Sequence, residues 1–495
     1  MAELLTRWAD IAAINQAGAV LGWDQETTMP PKGQTSRGRT LAVLAGLAHD
    51  KLTDPALADL VAAAGAEAEH GSIHAAHVRE AERAVVRATA VPGSLARAKA
   101  EATSTSLVSW QAARAADDFS LFAPDLARVV ALTFEEADAY VDAGIAVTRY
   151  DAMLDEFEPG TTELQLVPLL GALREELAPL VQTAADRASA IDESPCIGHF
   201  AGDGQEAFGR MVARKMGYDF DAGRLDESAH PFTTSFGPND VRITWRWQTN
   251  DFRPGLFGVM HEAGHALYEQ GLPAAWDGTP IGGAVSLGVH ESQSRLWENQ
   301  VGRSRAFWEW ALPQFIEHFP DAAGTTVDQL FPALHTVTPS LVRVEADEAT
   351  YNLHVVARFE IERALFAGEV EVADLPERWA ATYEELLGVR PPSAADGVLQ
   401  DIHWSMGAFG YFPTYTLGNL LSAQLFEAAG RALGSIDDLL RAGEFDQLLG
   451  WLRTNVHAEA SRWSASELIE RATGAPLSSE PFLRHLRTNV AEVYG

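Results

Sequence analysis

Residues 261–265 read His-Glu-Ala-Gly-His, an H-E-x-x-H string inside a segment that is otherwise almost wholly apolar. On a helix, residues at i and i+4 leave the same face one turn apart, so His261 and His265 can both reach one tetrahedral zinc ion. Glu262 points to the neighbouring strip, where it can act on a water held by such an ion. Arg253-Pro254-Gly255 before the string and Gly271 after it are helix start and stop signals. Between them, Leu256, Phe257, Val259, Met260, Ala263, Ala266 and Leu267 leave no broad polar face, and a helix that is apolar on nearly all sides is buried. Buried imidazoles and carboxylates need partners, because unpaired polar groups are costly inside a protein. A lone buried histidine is more often a satisfied core residue; a pair with an intervening glutamate points to a metal site.

Catalytic zinc usually takes three protein ligands and leaves a fourth position open. Glu269 is one turn beyond His265, but three adjacent ligands on one straight helix cannot surround one ion. A second helical stretch, from about Gly288 to Arg303, offers Glu291 and Glu298 on one face. A ligand from a second packed helix gives the required divergence of directions. Spacing favours Glu291, inside the polar cluster His290-Glu291-Ser292-Gln293. Glu298, beside Trp297 and Asn299, suits a carboxylate that orients a ligating imidazole.

The single cysteine, Cys196, excludes an intrachain disulfide and a cysteine-rich zinc site, and it fits a reducing compartment. With 37 basic and 69 acidic residues the net charge is −32, which argues against nucleic acid and anionic membrane surfaces as partners. No run of 18 apolar residues and no basic leader segment is visible, so a soluble cytoplasmic protein is expected.

Along the chain the pattern is helical. Residues 36–145 are rich in Ala, Leu, Arg and Glu, interrupted by Pro55, Pro92 and Pro124. Residues 161–190, 345–367 and most of 417–472 repeat apolar positions at three and four. No repeat, low-complexity tract or linker appears; the nearest break is the short stretch 388–397, so residues 1–495 read as one domain. Asp240–Trp247 departs from this pattern by alternating apolar and polar residues, the period of a half-buried strand. A strand so close to a metal helix is expected either to offer an edge to an extended peptide or to sit in a small structural sheet.

Several strings together resemble the thermostable carboxypeptidase family of the Taq type, from near residue 20 to near residue 425. Besides the metal string, the chain carries His230-Pro231-Phe232, Asp240-Val241-Arg242-Ile243-Thr244 and His290-Glu291-Ser292-Gln293. It also carries Arg343-Val344-Glu345-Ala346-Asp347 and Gly397-Val398-Leu399-Gln400-Asp401-Ile402-His403-Trp404. In order these match the family's HPF, DxRxT, HExxH, HES/GQ, RxxAD and GxxQDxHW signatures. Val342, before Arg343, departs from the usual Ile or Asn, with no functional consequence expected.

The resemblance implies a metal-dependent carboxypeptidase that acts on peptides with broad specificity and poor release of terminal Pro. It implies His261, His265 and Glu291 as ligands of zinc, with cobalt or another divalent metal as a substitute, and Glu262 as acid/base. The implied fold is mainly α: a large helical body with a long substrate groove, a small three-stranded sheet beside the metal, and a homodimeric assembly. A developing oxyanion needs a donor, and His403, Tyr411 and Tyr415 are the candidates. A free C-terminus needs a cation, and Arg343 is the first choice, unless it simply pairs with Asp347 one turn on. Arg242 and His230, from their motifs, are further substrate-binding candidates, and Arg390 is next in line. Two other classes compete: an endopeptidase or aminopeptidase sharing the ligand set, and a non-catalytic helical binder with a vestigial site. An intact Glu262 counts against the latter.

Overall fold

The breaks between helices fall where backbone chemistry demands them. In the computed structural model, which describes residues 1–495, twenty α-helices and one three-stranded sheet make up the regular structure, apart from short 3-10 and π turns. Pro55 opens the helix Pro55–Glu67, where its missing N–H is not needed, and Asp54 caps that helix by accepting from Ala56 N at 2.9 Å. Pro92 immediately precedes Gly93–Ala116, and Pro124 lies in the first turn of Ala123–Asp142. Glu163–Ala185 and Glu348–Phe366 cover the next two periodic stretches. No helix is long and apolar enough to cross a membrane. The mainly α class is as the periodicity implied.

The chain forms two compact units, each assembled from three segments. The first comprises Met1–Ala88, Asp192–Leu334 and Gly418–Leu477; the second comprises Thr89–Ile191, His335–Leu417 and Ser478–Gly495. Segments of the two alternate along the chain, so no single linker separates them and no shift in composition marks a boundary. The first unit buries Trp245, Met260, Leu267, Trp297, Phe307 and Phe315 in one core. The second buries Tyr150, Leu170, Leu353, Phe359, Trp379 and Trp404.

The sheet lies in the first unit. β1 (Leu225–Glu227) pairs parallel with β3 (Val241–Trp245), and β2 (Thr233–Ser235) pairs antiparallel with it, in the order β1-β3-β2. This corrects one of the two expectations for Asp240–Trp247. β3 is the central strand and both its edges are occupied, so it presents no edge to a peptide. Nor is it half-buried: only Arg242 is partly exposed. Thr244 is buried on the face the alternation assigns to solvent because its hydroxyl is used internally. Ser228 Oγ donates to it at 2.7 Å and Phe232 N at 2.9 Å.

Two helices of this unit carry the H-E-x-x-H string and its partner glutamates. The first runs Arg253–Gly271, with the bounds the sequence signals implied. The second runs Leu287–Arg295, capped by Ser286, which accepts from Val289 N at 3.1 Å. It continues as a π-helical turn over Leu296–Val301, where one regular helix was expected; such turns are frequent at functional sites. The helices cross closely because residue 264 is glycine. A Cβ there would lie 2.6 Å from Ser294 Cα and 2.7 Å from Gln293 O, so any larger residue would push two backbones apart.

Candidate active site

Burial and helix geometry place His261 and His265 edge to face, ring centroids 4.8 Å apart. Their Nε2 atoms lie 3.7 and 3.4 Å from Glu291 Oε2. One ligand atom from each of the three residues fits within 4.8 Å of the others. Tetrahedral ligands about 2.1 Å from a zinc ion stand roughly 3.4 Å apart, so the donor set suits such an ion in spacing and in chemistry.

The other side of each imidazole is held. His261 Nδ1 lies 2.9 Å from Glu298 Oε2, and Glu298 is braced by Arg295 at 3.1 Å and Arg303 at 3.4 Å. His265 Nδ1 lies 3.0 Å from the His290 carbonyl oxygen and 2.6 Å from His290 Nδ1, while His290 Nε2 lies 2.9 Å from Glu269 Oε1. One proton arrangement satisfies this chain. His290 donates from Nε2 to Glu269, and its bare Nδ1 and its carbonyl both accept from His265 Nδ1–H. That leaves the lone pair of His265 Nε2 facing Glu291. Glu269, set aside as a ligand for its position on the helix, is thus engaged by His290.

The electrostatics favour a neutral His265 and ionised carboxylates at Glu291 and Glu298; at His261 burial disfavours the proton, but Glu291 and Glu298 outweigh it and raise the ring's affinity for one. Burial and the neighbouring His290 drop His265 to about 3, so its ring is neutral near pH 7. Burial opposes ionisation of Glu291, yet Arg295 and His261 outweigh it and hold the carboxyl well below its usual range. The same balance, with Arg295 and His261 again opposing burial, brings Glu298 to about 2. Glu262 differs: burial pushes it up, although His261 and Thr233 counteract. Its Oε2 accepts from Thr233 Oγ1 at 2.6 Å, so strand β2 orients the carboxylate expected to move protons.

The remaining candidates divide. Arg343, His403, Tyr411 and Tyr415 gather in the second unit. Arg343 is buried, and its guanidinium meets Asp401 Oδ1 at 2.8 Å and Tyr351 Oη at 2.8 Å, lying over the Tyr415 ring at 4.8 Å. The pairing with Asp347 raised by helix spacing does not form. Asp347 instead caps Glu348–Phe366, accepting from Ala349 N and Thr350 N at 3.0 Å. Asp401 also receives Arg358 Nε at 2.7 Å, and Arg358 is wholly buried. His403 packs against Phe412 and Tyr411 at 4.5 and 5.0 Å, and its buried Nδ1 has no protein hydrogen-bond partner. Burial lowers His403 to about 4 against the pull of Asp401, so it is neutral at pH 7.

Arg242 and His230 belong to the first unit, and Arg390 to the second. Arg242 pairs with Asp240 at 2.8 Å and lies over the Trp23 ring at 4.5 Å. His230 is exposed, its carbonyl accepting from Ser228 Oγ at 2.7 Å. Arg390 is exposed and pairs with Glu377 and Glu384. The sequence reading missed Thr233, Arg358 and the His290–Glu269 pair. Thr233 stands directly after His230-Pro231-Phe232, the one signal that could have drawn attention to it.

The carboxypeptidase Taq (M32) metallopeptidase family matches residues 3–490. Thermostable carboxypeptidase 1 of Thermus thermophilus is 44% identical over 502 aligned positions, covering 100% of this chain and 98% of that one. Thermostable carboxypeptidase 1 of Pyrococcus furiosus is 37% identical, covering 98% and 97%. The crystal structure of M32 carboxypeptidase from Deinococcus radiodurans R1 superposes with a TM-score of 0.96 at 42% identity, covering 100% and 99%. Metallocarboxypeptidase 1 of Trypanosoma cruzi superposes with a TM-score of 0.94 at 35% identity, covering 99% and 98%. With the whole length matched in sequence and in fold, and a candidate three-ligand site at the H-E-x-x-H helix, the chain belongs to the M32 carboxypeptidase Taq family of metallopeptidases.

Proposed function

We propose that the chain releases single residues from the C-termini of peptides, with zinc held by His261, His265 and Glu291 and with Glu262 as acid/base. The observation that carries this reading is the convergence of three ligand atoms within 4.8 Å, one residue along the helix from a buried carboxylate held by Thr233. A divalent ion in that donor set supplies Lewis acidity to the scissile carbonyl and acidifies water. Cobalt or another divalent ion can stand in, since histidine and carboxylate ligands discriminate weakly. Glu262 takes the proton of the attacking water and returns it to the departing amine, and its raised affinity for a proton suits both steps.

His403, Tyr411 and Tyr415 are the donors for the oxyanion. His403, neutral near pH 7, donates through an N–H, and the tyrosines through their hydroxyls. Arg343 binds the terminal carboxylate. Two guanidiniums, Arg343 and Arg358, share the single carboxylate of Asp401, so the cluster keeps one positive charge for an anionic group. Specificity for the released residue is broad, with terminal Pro a poor substrate, as the resemblance implies.

A time course of digestion followed by mass spectrometry tests this on three versions of one peptide: free, C-terminally amidated and N-terminally acetylated. Stepwise loss from the free C-terminus, abolished by a chelator and little affected by acetylation, is expected. Equal cleavage of the amidated peptide, or a block by acetylation, overturns it.

A further inference from the structure

Outside the metal centre, one buried acid has a set of partners that the activity as described does not use. Glu362 is wholly buried on the helix Glu348–Phe366. Its Oε1 accepts from Trp404 Nε1 at 2.7 Å; its Oε2 accepts from Gly410 N at 2.9 Å and from Tyr150 Oη at 3.0 Å. It makes no ion pair: Arg358, one turn earlier on the same helix, gives its guanidinium to Asp401. A buried carboxylate without a salt-bridge partner is costly unless its lone pairs are filled, and here three donors fill them.

Two of the donors are informative. Trp404 adjoins His403 and Gly410 adjoins Tyr411, so one carboxylate grips both ends of the segment 403–411 that carries the oxyanion candidates. Close packing confines the same segment as well. Gly410 has φ +78°, and a Cβ there would lie 2.6 Å from Met153 C and 2.7 Å from Leu154 N, so this backbone is pressed against the helix Arg149–Phe157. Gly410 is thus held both by close backbone packing and by the Glu362 carboxylate.

We propose that Glu362 is a positioning residue for the reaction, holding the 403–411 segment so that His403 and Tyr411 meet the oxyanion in the transition state. The inference rests on the reading of that segment given above. Group placement matters steeply, since displacement of a catalytic group by about 1 Å can lower the rate roughly 10²-fold.

Glu362→Gln and Glu362→Asp disturb the grip in different ways. The amide of Gln must aim its NH2 at Trp404 Nε1–H or at Gly410 N–H, and both are donors, so one end of the segment is released. Asp keeps the charge but withdraws both oxygens by one carbon. Whichever variant folds, measured as the metal-loaded full chain well below its unfolding temperature, is expected to lose kcat about 10- to 100-fold. KM should stay within about threefold and metal content per chain should be unchanged, because the oxyanion contact is made in the transition state. A purely structural role would lower thermal stability and leave kcat alone, so a folded variant with kcat within twofold of the parent overturns the proposal. His403→Ala and Tyr411→Phe separate it from the reading beneath it. If both keep the parent kcat, the oxyanion reading of the segment fails. If either loses kcat while the Glu362 variants do not, only the positioning role fails.

Discussion

The two polar centres of this molecule are built in opposite ways. In the first unit, His261, Glu262 and His265 are neighbours on one helix, and Glu291 and Glu298 come from one other. Local helical geometry sets most of the distances, and one close crossing at Gly264 supplies the rest. In the second unit, Arg343 from a short 3-10 turn and Arg358 from a long helix are joined to Asp401 by hydrogen bonds spanning 58 and 43 positions, and Glu362 of the same helix holds Trp404, beside His403, across 42. The first centre depends on neighbours one turn apart, the second on buried charges arriving from distant segments. Damage to the first should therefore remain local and chemical, whereas damage to the second should spread through shared partners.

Removing the proposed base probes the local centre most severely. Glu262→Gln keeps the shape and the Thr233 contact but cannot take a proton, so kcat should fall ~10²–10⁴-fold with metal and fold retained. Metal analysis beside steady-state kinetics checks this, and near-normal turnover with metal bound would remove Glu262 from the chemistry.

The distributed centre comes next. Arg343→Ala, or amidation of the peptide, removes the proposed charge-assisted contact of ~1.5–3 kcal/mol and should lower kcat/KM roughly 10- to 200-fold. The two losses should not add, since both delete one contact. Additive losses would mean that another cation holds the terminus. Arg343→Ala also strips a partner from Asp401 and Tyr351, so it should cost thermal stability, whereas Glu262→Gln should cost little.

A smaller effect separates ligand from orienter within the local centre. Glu298→Gln weakens the brace on His261 and should reduce metal affinity about 10- to 100-fold. Glu291→Gln, which removes the proposed ligand oxygen, should reduce it more. Competition with a calibrated chelator ranks the two, and the reverse order would exchange their roles.

The mildest test is pH. Burial raises Glu362 to about 7, against hydrogen bonds from Trp404, Gly410 and Tyr150. A carboxyl with a raised folded pKa adds stability that is complete below its unfolded value, about 4.3, and fades as pH rises through its folded value. Between about pH 5 and 8 the parent should therefore lose stability with a steeper slope than Glu362→Gln. Parallel slopes in denaturant titrations would show that Glu362 does not titrate there.

Much of the local centre was legible in the residues themselves. The bounds Arg253–Gly271 follow from Pro254, Gly271 and an apolar run, and i, i+4 spacing alone puts both imidazoles on one side. The preference for Glu291 over Glu298 needed only the assumption of a second packed helix. The role of Thr233 was not legible, because its contact with Glu262 depends on β2 lying beside that helix. Of the two readings of β3, the open edge failed for a related reason and the small structural sheet holds. Alternation reports a strand, but its neighbours are chosen by the rest of the chain. Arg343 and Asp347 stand at pairing distance on any helix, as do Arg358 and Glu362. Neither pair forms: the helix begins only at Glu348, so Arg343 and Asp347 never share it, and Asp401 from a distant segment takes both guanidiniums.

By itself, then, the sequence determined the helical class, the metal helix with its histidines and glutamate, and the family, since these reside in periodicities and strings only a few residues long. Only the tertiary structure decided which carboxylate neutralises which arginine, which strand touches Glu262, and which buried acid grips the 403–411 segment. Those choices follow from desolvation: a charge taken from water must bind whatever donor or acceptor the packed chain delivers, and sequence distance carries no information about that delivery.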